Sequence, residues 1–183
     1  MAYEPRTLTA QPDDVNHHRM LLHPESLLIT LAVLAPNLLF LVLPPKNAEK
    51  YGKADGSLPF TVLERVGQVS SFVLPLFFSL SFSGTWTIVA WIAMGALLIS
   101  YYALWIRFFV RDRDYALLFR PAIGIPVPMA TGPVLYFLLS SVVLQTIWQA
   151  IAALILGVGH ITISFREARR LATLDADRVM SRK

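Results

Sequence analysis

The sequence predicts an all-α, polytopic integral membrane protein: a four-helix transmembrane bundle with a proline-rich interfacial segment between helices 3 and 4. Of the 183 residues, 55% are apolar and only 15% are charged, whereas about 25% are charged in soluble domains. Two runs, 66–106 and 121–165, contain no Asp, Glu, Lys or Arg. Since ~20 apolar residues suffice to cross a hydrocarbon core of about 30 Å, these runs are typical of membrane spans.

The composition also excludes several classes of site. The chain has no cysteine, which rules out disulfides, thiolate metal sites and cysteine nucleophiles. The net charge of +4 comes from Lys and Arg in short segments beside apolar runs, where such residues anchor and orient spans. No basic segment interleaved with aromatic residues is present, so we expect no nucleic-acid partner.

The first predicted span covers about 26–43 and follows a polar N-terminal segment, 1–25. Prolines at 44–45 end the span because proline cannot continue the helical hydrogen-bond ladder. Pro36 beside Asn37 predicts a kink near its middle. The preceding segment contains four acids, and no small-residue cleavage pattern follows the span, so we do not expect a cleaved signal peptide.

The second and third spans, about 60–82 and 86–110, are predicted to form an antiparallel hairpin. Lysines, acids and Gly56 in the preceding linker, 46–58, indicate a turn in water. The reversal between the two spans is expected at residues 83–85, a Ser-Gly-Thr sequence between uncharged runs.

Residues 115–133 are apolar but contain four prolines, which prevent a regular helix. Because irregular backbone does not face hydrocarbon, we expect this segment at the membrane interface, with a re-entrant segment as the alternative. The fourth span is predicted over about 134–160 as one helix, since no turn signal lies between residues 136 and 156. The tail 166–183 is predicted to be a charged, exposed helix.

The orientation of a four-span bundle follows only weakly from its charges. Four spans put both termini on one side of the membrane, and each side then carries eight Lys and Arg residues. The positive-inside rule therefore gives almost no bias. The arginine-rich tail favours cytoplasmic termini.

Polar residues on one face of the second span are the most informative pattern. Their spacing of three or four residues places them on one side of a helix, and such a face usually points into a membrane bundle. The pattern predicts either a polar cleft with Glu64 at its mouth or simple interhelical hydrogen bonds. Glu64 is expected to pair with an arginine, with Arg65, Arg111 and Arg120 as the candidates. The face consists of Thr61, Glu64, Gln68, Ser71, Pro75 and Ser79.

The fourth span supplies further candidates. Two glutamines inside a span need hydrogen-bond partners, and we expect them to meet Gln68, Ser71 or Asn37. His160 follows two glycines and could transfer protons near neutral pH, although no second titratable group is predicted beside it. In the third span, Tyr101 could line an apolar pocket. The candidate cleft or ligand-binding residues are Glu64, Gln68, Ser71, Tyr101, Gln145, Gln149 and His160.

We predict no catalytic constellation, cofactor or metal site. The chain has no phosphate loop, nucleophile elbow, zinc helix or dinucleotide fingerprint. His17, His18 and His23 have no carboxylate or cysteine at the spacing of a known metal site.

Three functional classes remain. The favoured one is a non-enzymatic membrane subunit or accessory protein, which would bind another membrane protein or a second copy of the chain within the bilayer. The first alternative is a lipid or small-molecule binder or transporter that uses the polar cleft. The second is an intramembrane enzyme that acts on a lipid or isoprenoid through Glu64, His160 and Tyr101.

Overall fold

The structure, a computed structural model, describes residues 22–51, 57–122 and 124–181. These residues are organised as α-helices joined by short 3-10 turns and loops, without a β-strand. Three segments, Pro24–Val42, Thr85–Val110 and Ile147–Arg178, are long and apolar enough to cross a membrane by length and composition. The five helices are α1 (Leu27–Val42), α2 (Leu58–Val73), α3 (Thr85–Val110), α4 (Pro128–Val143) and α5 (Ile147–Met180).

The last apolar run forms two helices, so the expected single fourth span is wrong. The chain reverses between α4 and α5 at Gln145, whose φ is +52°. The side chains of Ser140 and Gln149 then lie across the turn from each other, with a hydrogen bond of 3.2 Å between them. The turn carries no local sequence signal, since Gln is not a residue that usually adopts a left-handed backbone.

Part of the proline-rich segment is helical. A 3-10 turn covers Tyr115–Leu118, and α4 begins at Pro128 rather than at residue 134. Proline is well tolerated in the first position of a helix because the N–H it lacks would be unpaired there. Pro133 lies inside α4. The position of this segment relative to a membrane stays a prediction.

The second and third helices do not form the expected tight hairpin. α2 ends at Val73, continues as a 3-10 turn over Leu74–Phe77, and is followed by an irregular connection over 78–84. Pro75 explains the early end because it cannot donate to the helical ladder. α2 packs mainly against α5, and α3 packs mainly against α4.

The main hydrophobic core lies between α1, α3 and α4. Its largest fully buried apolar side chains are Ile29, Met94, Phe108 and Phe137. Aromatic rings dominate this core: Phe40 packs edge-on against a tryptophan of α3 with a centroid distance of 5.8 Å.

The two ends of the bundle differ in charge. At one end, which we call the basic end, the loop after α1 contacts the loop after α3 through Lys46 N and Arg113 O, 3.3 Å apart. At the opposite end, Ser81 N donates to Val143 O at 2.9 Å. The start of α1 lies at this opposite end and the end of α5 at the basic end. The two ends of the described chain therefore lie at opposite ends of the bundle. The four-span prediction required both to be on one side.

The C-terminal part of α5 extends beyond the bundle at the basic end. At ~1.5 Å rise per residue, the 34 residues of α5 measure about 51 Å, well over a hydrocarbon core of about 30 Å. The loops at this end pack against the extension through a small hydrophobic cluster, which we call the cap. Its residues are Tyr51, Tyr115, Ala116, Phe119, Leu171 and Leu174.

Candidate functional site

A cavity of about 570 Å³ lies toward the basic end, between α1, α2, α3, α4 and α5. Ligand sites commonly have volumes of ~300–1,000 Å³. Much of its wall is apolar, from residues such as Leu34, Phe40, Trp105 and Phe137. Its larger polar side chains are Asn37, Glu64, Arg65, Gln68, Tyr101 and His160.

Glu64 and His160 form the central polar pair of the cavity. Glu64 Oε1 lies 2.6 Å from His160 Nδ1, and the two side chains are 20% and 33% exposed. Glu64 therefore pairs with a histidine and not, as expected, with an arginine. The expectation that His160 has no titratable neighbour is also wrong. When the carboxylate is ionised, Nδ1 carries the proton, and Nε2 of a neutral imidazole is left as an acceptor.

Two glycines permit this pairing. A Cβ on Gly159 would lie 2.3 Å from Glu64 N, and a Cβ on Gly67 would lie 2.2 Å from Leu156 N. Both distances are far too short for any side chain, so α2 and α5 are in backbone contact at these positions. Small residues allow this close approach between membrane helices, and the approach brings His160 onto the polar face of α2.

The other polar residues of the cavity form two further pairs. Asn37 Nδ2 donates to Tyr101 Oη at 3.1 Å, which joins α1 to α3. Arg65 Nη1 donates to Gln68 Oε1 at 3.3 Å, within α2. Gln68 is half-buried and faces the cavity, instead of making the interhelical bond that its position in the stripe suggested.

Four of the seven sequence-predicted site residues line this cavity: Glu64, Gln68, Tyr101 and His160. Ser71 and Gln149 lie elsewhere, in the buried contact between α2 and α5, where Gln149 Nε2 donates to Ser71 O at 3.3 Å. Pro75 removes the helical donor that this carbonyl would otherwise have, so Gln149 has a structural role.

Gln145 is exposed in the α4–α5 turn, away from the cavity. Its Nε2 donates to Val142 O at 2.6 Å and approaches Thr87 Oγ1 at 3.4 Å. The predicted fourth span, which contained both Gln145 and His160, is interrupted here, since Gln145 lies in the turn and His160 lies in α5.

Sequence reasoning did not identify Asn37 and Arg65 as cavity residues. Asn37 follows Pro36, and a polar residue beside a proline inside a span was the available signal. Arg65 is adjacent to Glu64 and so lay outside the three-or-four spacing that defined the polar face.

A second group of polar side chains lies beside the cap. Glu167 is only 4% exposed, and Arg170 donates to both of its carboxylate oxygens, at 2.5 and 2.7 Å. Arg170 also donates to Tyr51 O at 2.5 Å, while the Tyr115 hydroxyl lies 3.2 Å from Glu167 Oε1. Burial, together with the negative charge of Glu167, raises the pKa of Tyr115 to about 12. These hydrogen bonds connect the loop after α1 and the loop after α3 to α5.

Within the described ranges, no group of three or more His, Cys, Asp or Glu residues could hold a metal ion. His17 and His18 lie outside these ranges. Comparison of the chain with known protein families, with curated proteins and with solved structures finds no match.

Proposed function

We propose that this chain is a multi-pass membrane protein that binds an amphipathic lipid or small molecule in the cavity beside Glu64 and His160. The membrane location is supported by the three long apolar helices and by the surface of α2. One face of α2 exposes only large apolar side chains, while Glu64, Gln68 and Ser71 on its other side are half-buried or buried, the reverse of a helix in water. The exposed residues are Leu58, Val62, Val66, Val69 and Val73.

The charges support a defined orientation, with the basic end in the cytoplasm. No Lys or Arg occurs in segments 22–26, 78–84 and 143–147, which make up the opposite end of the described chain. Loops rich in Lys and Arg remain on the cytoplasmic side of membranes. At or within a few turns of the basic end lie Lys46, Lys50, Arg65, Arg107, Arg111, Arg113, Arg120, Arg166, Arg169, Arg170 and Arg178.

The absence of native cysteine makes this orientation testable with single cysteines. Ser83 and Arg111 are both exposed and lie at opposite ends. A membrane-impermeant maleimide should label Ser83→Cys in intact cells and Arg111→Cys only after permeabilisation. The reverse pattern would contradict the orientation.

The observation that carries the proposed binding function is the cavity itself. The cavity has an apolar wall and, beside it, a cluster of hydrogen-bonding side chains. In the proposed orientation this cluster lies near the membrane surface that the arginines indicate. This arrangement matches a molecule with a hydrocarbon part and a polar head. A purely structural subunit has no need of such a space, so the cavity favours binding over the accessory role.

A cavity-filling variant tests the function. Leu34 lines the cavity, whereas Leu31, one turn earlier in α1, is 53% exposed. Native mass spectrometry of the detergent-solubilised protein should detect a bound lipid in the wild type and in Leu31→Trp, and much less in Leu34→Trp. Equal occupancy in both variants, or no bound lipid in the wild type after reconstitution with lipid, would contradict the proposal.

A further inference from the structure

The polar groups of the cavity restrict the chemistry of the head that it can accept. Glu64 and Arg65 are the two formally charged side chains that line it in the described part of the chain. With a neutral His160 their charges offset each other, so the cavity then has no surplus charge with which to stabilise an ionised head. An isolated ion that leaves water without a compensating charge carries a large desolvation penalty.

The hydrogen-bonding groups provide a donor and an acceptor. His160 Nδ1 lies 2.6 Å from Glu64 Oε1, and in a neutral imidazole that donates this bond Nε2 is an acceptor. Tyr101 Oη already accepts from Asn37 Nδ2 at 3.1 Å, so the Tyr101 hydroxyl proton is available to donate. Both residues line the same cavity. A hydroxyl group is both donor and acceptor, so it offers a complementary group to each of these two residues.

On the basis of the proposed binding function, we infer that the ligand is a long-chain alcohol, an uncharged lipid whose hydroxyl donates to His160 Nε2 and accepts from the Tyr101 hydroxyl. Its hydrocarbon chain lies against the apolar wall at Leu34, Phe40 and Phe137. An ionised carboxylate head has no proton to donate to a neutral His160, and an ammonium head has no lone pair to accept from the Tyr101 hydroxyl. Each of these would leave His160 or Tyr101 without a complementary group.

Three ligands of equal chain length test the inference: a primary alcohol, the matching fatty acid and the matching primary amine. Their affinities for the full chain are measured by native mass spectrometry in detergent at neutral pH. We expect the alcohol to bind at least about tenfold more tightly than the other two, which corresponds to ~1.4 kcal/mol. Tighter binding of the acid or the amine would overturn the inference while leaving the proposed binding function intact. If none of the three binds to the wild type, the inference is wrong, and the bound-lipid comparison of Leu34→Trp with Leu31→Trp decides the proposed function separately.

Two variants separate the two hydrogen bonds. His160→Phe removes the acceptor and Tyr101→Phe removes the donor, and each should reduce the alcohol's advantage over the acid about tenfold. Ser100→Ala is the matched control, because Ser100 is exposed and bonds only within α3, to Ala96 O at 2.9 Å. Should His160→Phe fail to fold, Tyr101→Phe still decides the question. Unchanged selectivity in a folded Tyr101→Phe protein would contradict the inference.

Discussion

The hydroxyl of Tyr102 in α3 donates a hydrogen bond of 2.8 Å to the carbonyl oxygen of Ala32 in α1. In a regular helix this carbonyl would accept from the amide of residue 36, but Pro36 has no N–H. Prolines are tolerated inside membrane helices where a neighbouring helix satisfies the carbonyl that they free. Tyr102 therefore compensates for Pro36 across the α1–α3 interface.

This relationship predicts an energetic coupling between the two residues. Tyr102→Phe should lower the free energy of unfolding by about 1 kcal/mol, since it leaves a part-buried carbonyl without a donor. In a Pro36→Ala background the loss should be smaller, because a backbone amide at position 36 can then donate to Ala32. A double-mutant cycle of unfolding in detergent measures the coupling. An equal loss in both backgrounds would show that Tyr102 does not compensate for the proline.

Gln149 and Gln145 are predicted to differ in their effect on stability. Gln149 is completely buried and donates to Ser71 O and Ser140 Oγ. Gln149→Leu should lower the free energy of unfolding by about 1 kcal/mol because these bonds are lost. Gln145→Leu, in the exposed turn, should change it by less than ~0.5 kcal/mol. Thermal unfolding in detergent compares them, and a larger loss for Gln145→Leu would be inconsistent with the separate roles assigned here.

The backbone contact between α2 and α5 predicts a strong sensitivity to small substitutions. Gly159→Ala and Gly67→Ala should each lower the free energy of unfolding by at least ~2 kcal/mol, because the added methyl group overlaps backbone atoms. Gly95 in α3 is the control, since a Cβ there meets nothing within 4 Å. Gly95→Ala should be neutral or slightly stabilising, as Ala favours helix over Gly by up to ~1 kcal/mol. Similar stabilities for all three variants would refute the close packing.

The polar face of α2 was predictable from the sequence because it depends on helical periodicity alone. The three-or-four spacing of Glu64, Gln68 and Ser71 places these residues on one side of α2, and in the structure all three point away from the exposed valines. Their partners depend on how far the neighbouring helix can approach. Gly67 and Gly159 determine that distance. Small residues allow helices to approach closely, so these two glycines were a sequence signal for the contact between α2 and α5.

The turn at Gln145 could not be predicted on the same basis. A left-handed backbone at a residue other than Gly or Asn is uncommon, and no proline or glycine lies beside it. The turn is stabilised by contacts remote in sequence, such as the bond from Ser81 N to Val143 O. The helix count and the direction of α5 depend on the chain reversal at this turn, so both differed from the sequence prediction.

The cap predicts a pH dependence of stability that is specific to Tyr115. Burial and the neighbouring Glu167 raise the pKa of Tyr115 to about 12 in the folded protein, whereas an unfolded tyrosine has a pKa of about 10. The folded state thus retains a proton that the unfolded state releases. The stability that Tyr115 contributes is fully present below about pH 10 and is lost as the pH rises toward 12.

Tyr115→Phe tests this dependence by removing the titrating hydroxyl and its bond to Glu167. At pH 8 the variant should be less stable than the wild type by about 1 kcal/mol, because a hydrogen bond to a buried carboxylate is lost. Above pH 10 the difference should shrink, since only the wild type has a hydroxyl at position 115 whose ionisation opposes folding. Denaturant unfolding of both proteins between pH 8 and 11 measures the difference, and all other titrating groups are shared by the pair. A difference that stays constant over this range would mean that the Tyr115 hydroxyl is not confined against Glu167 in solution.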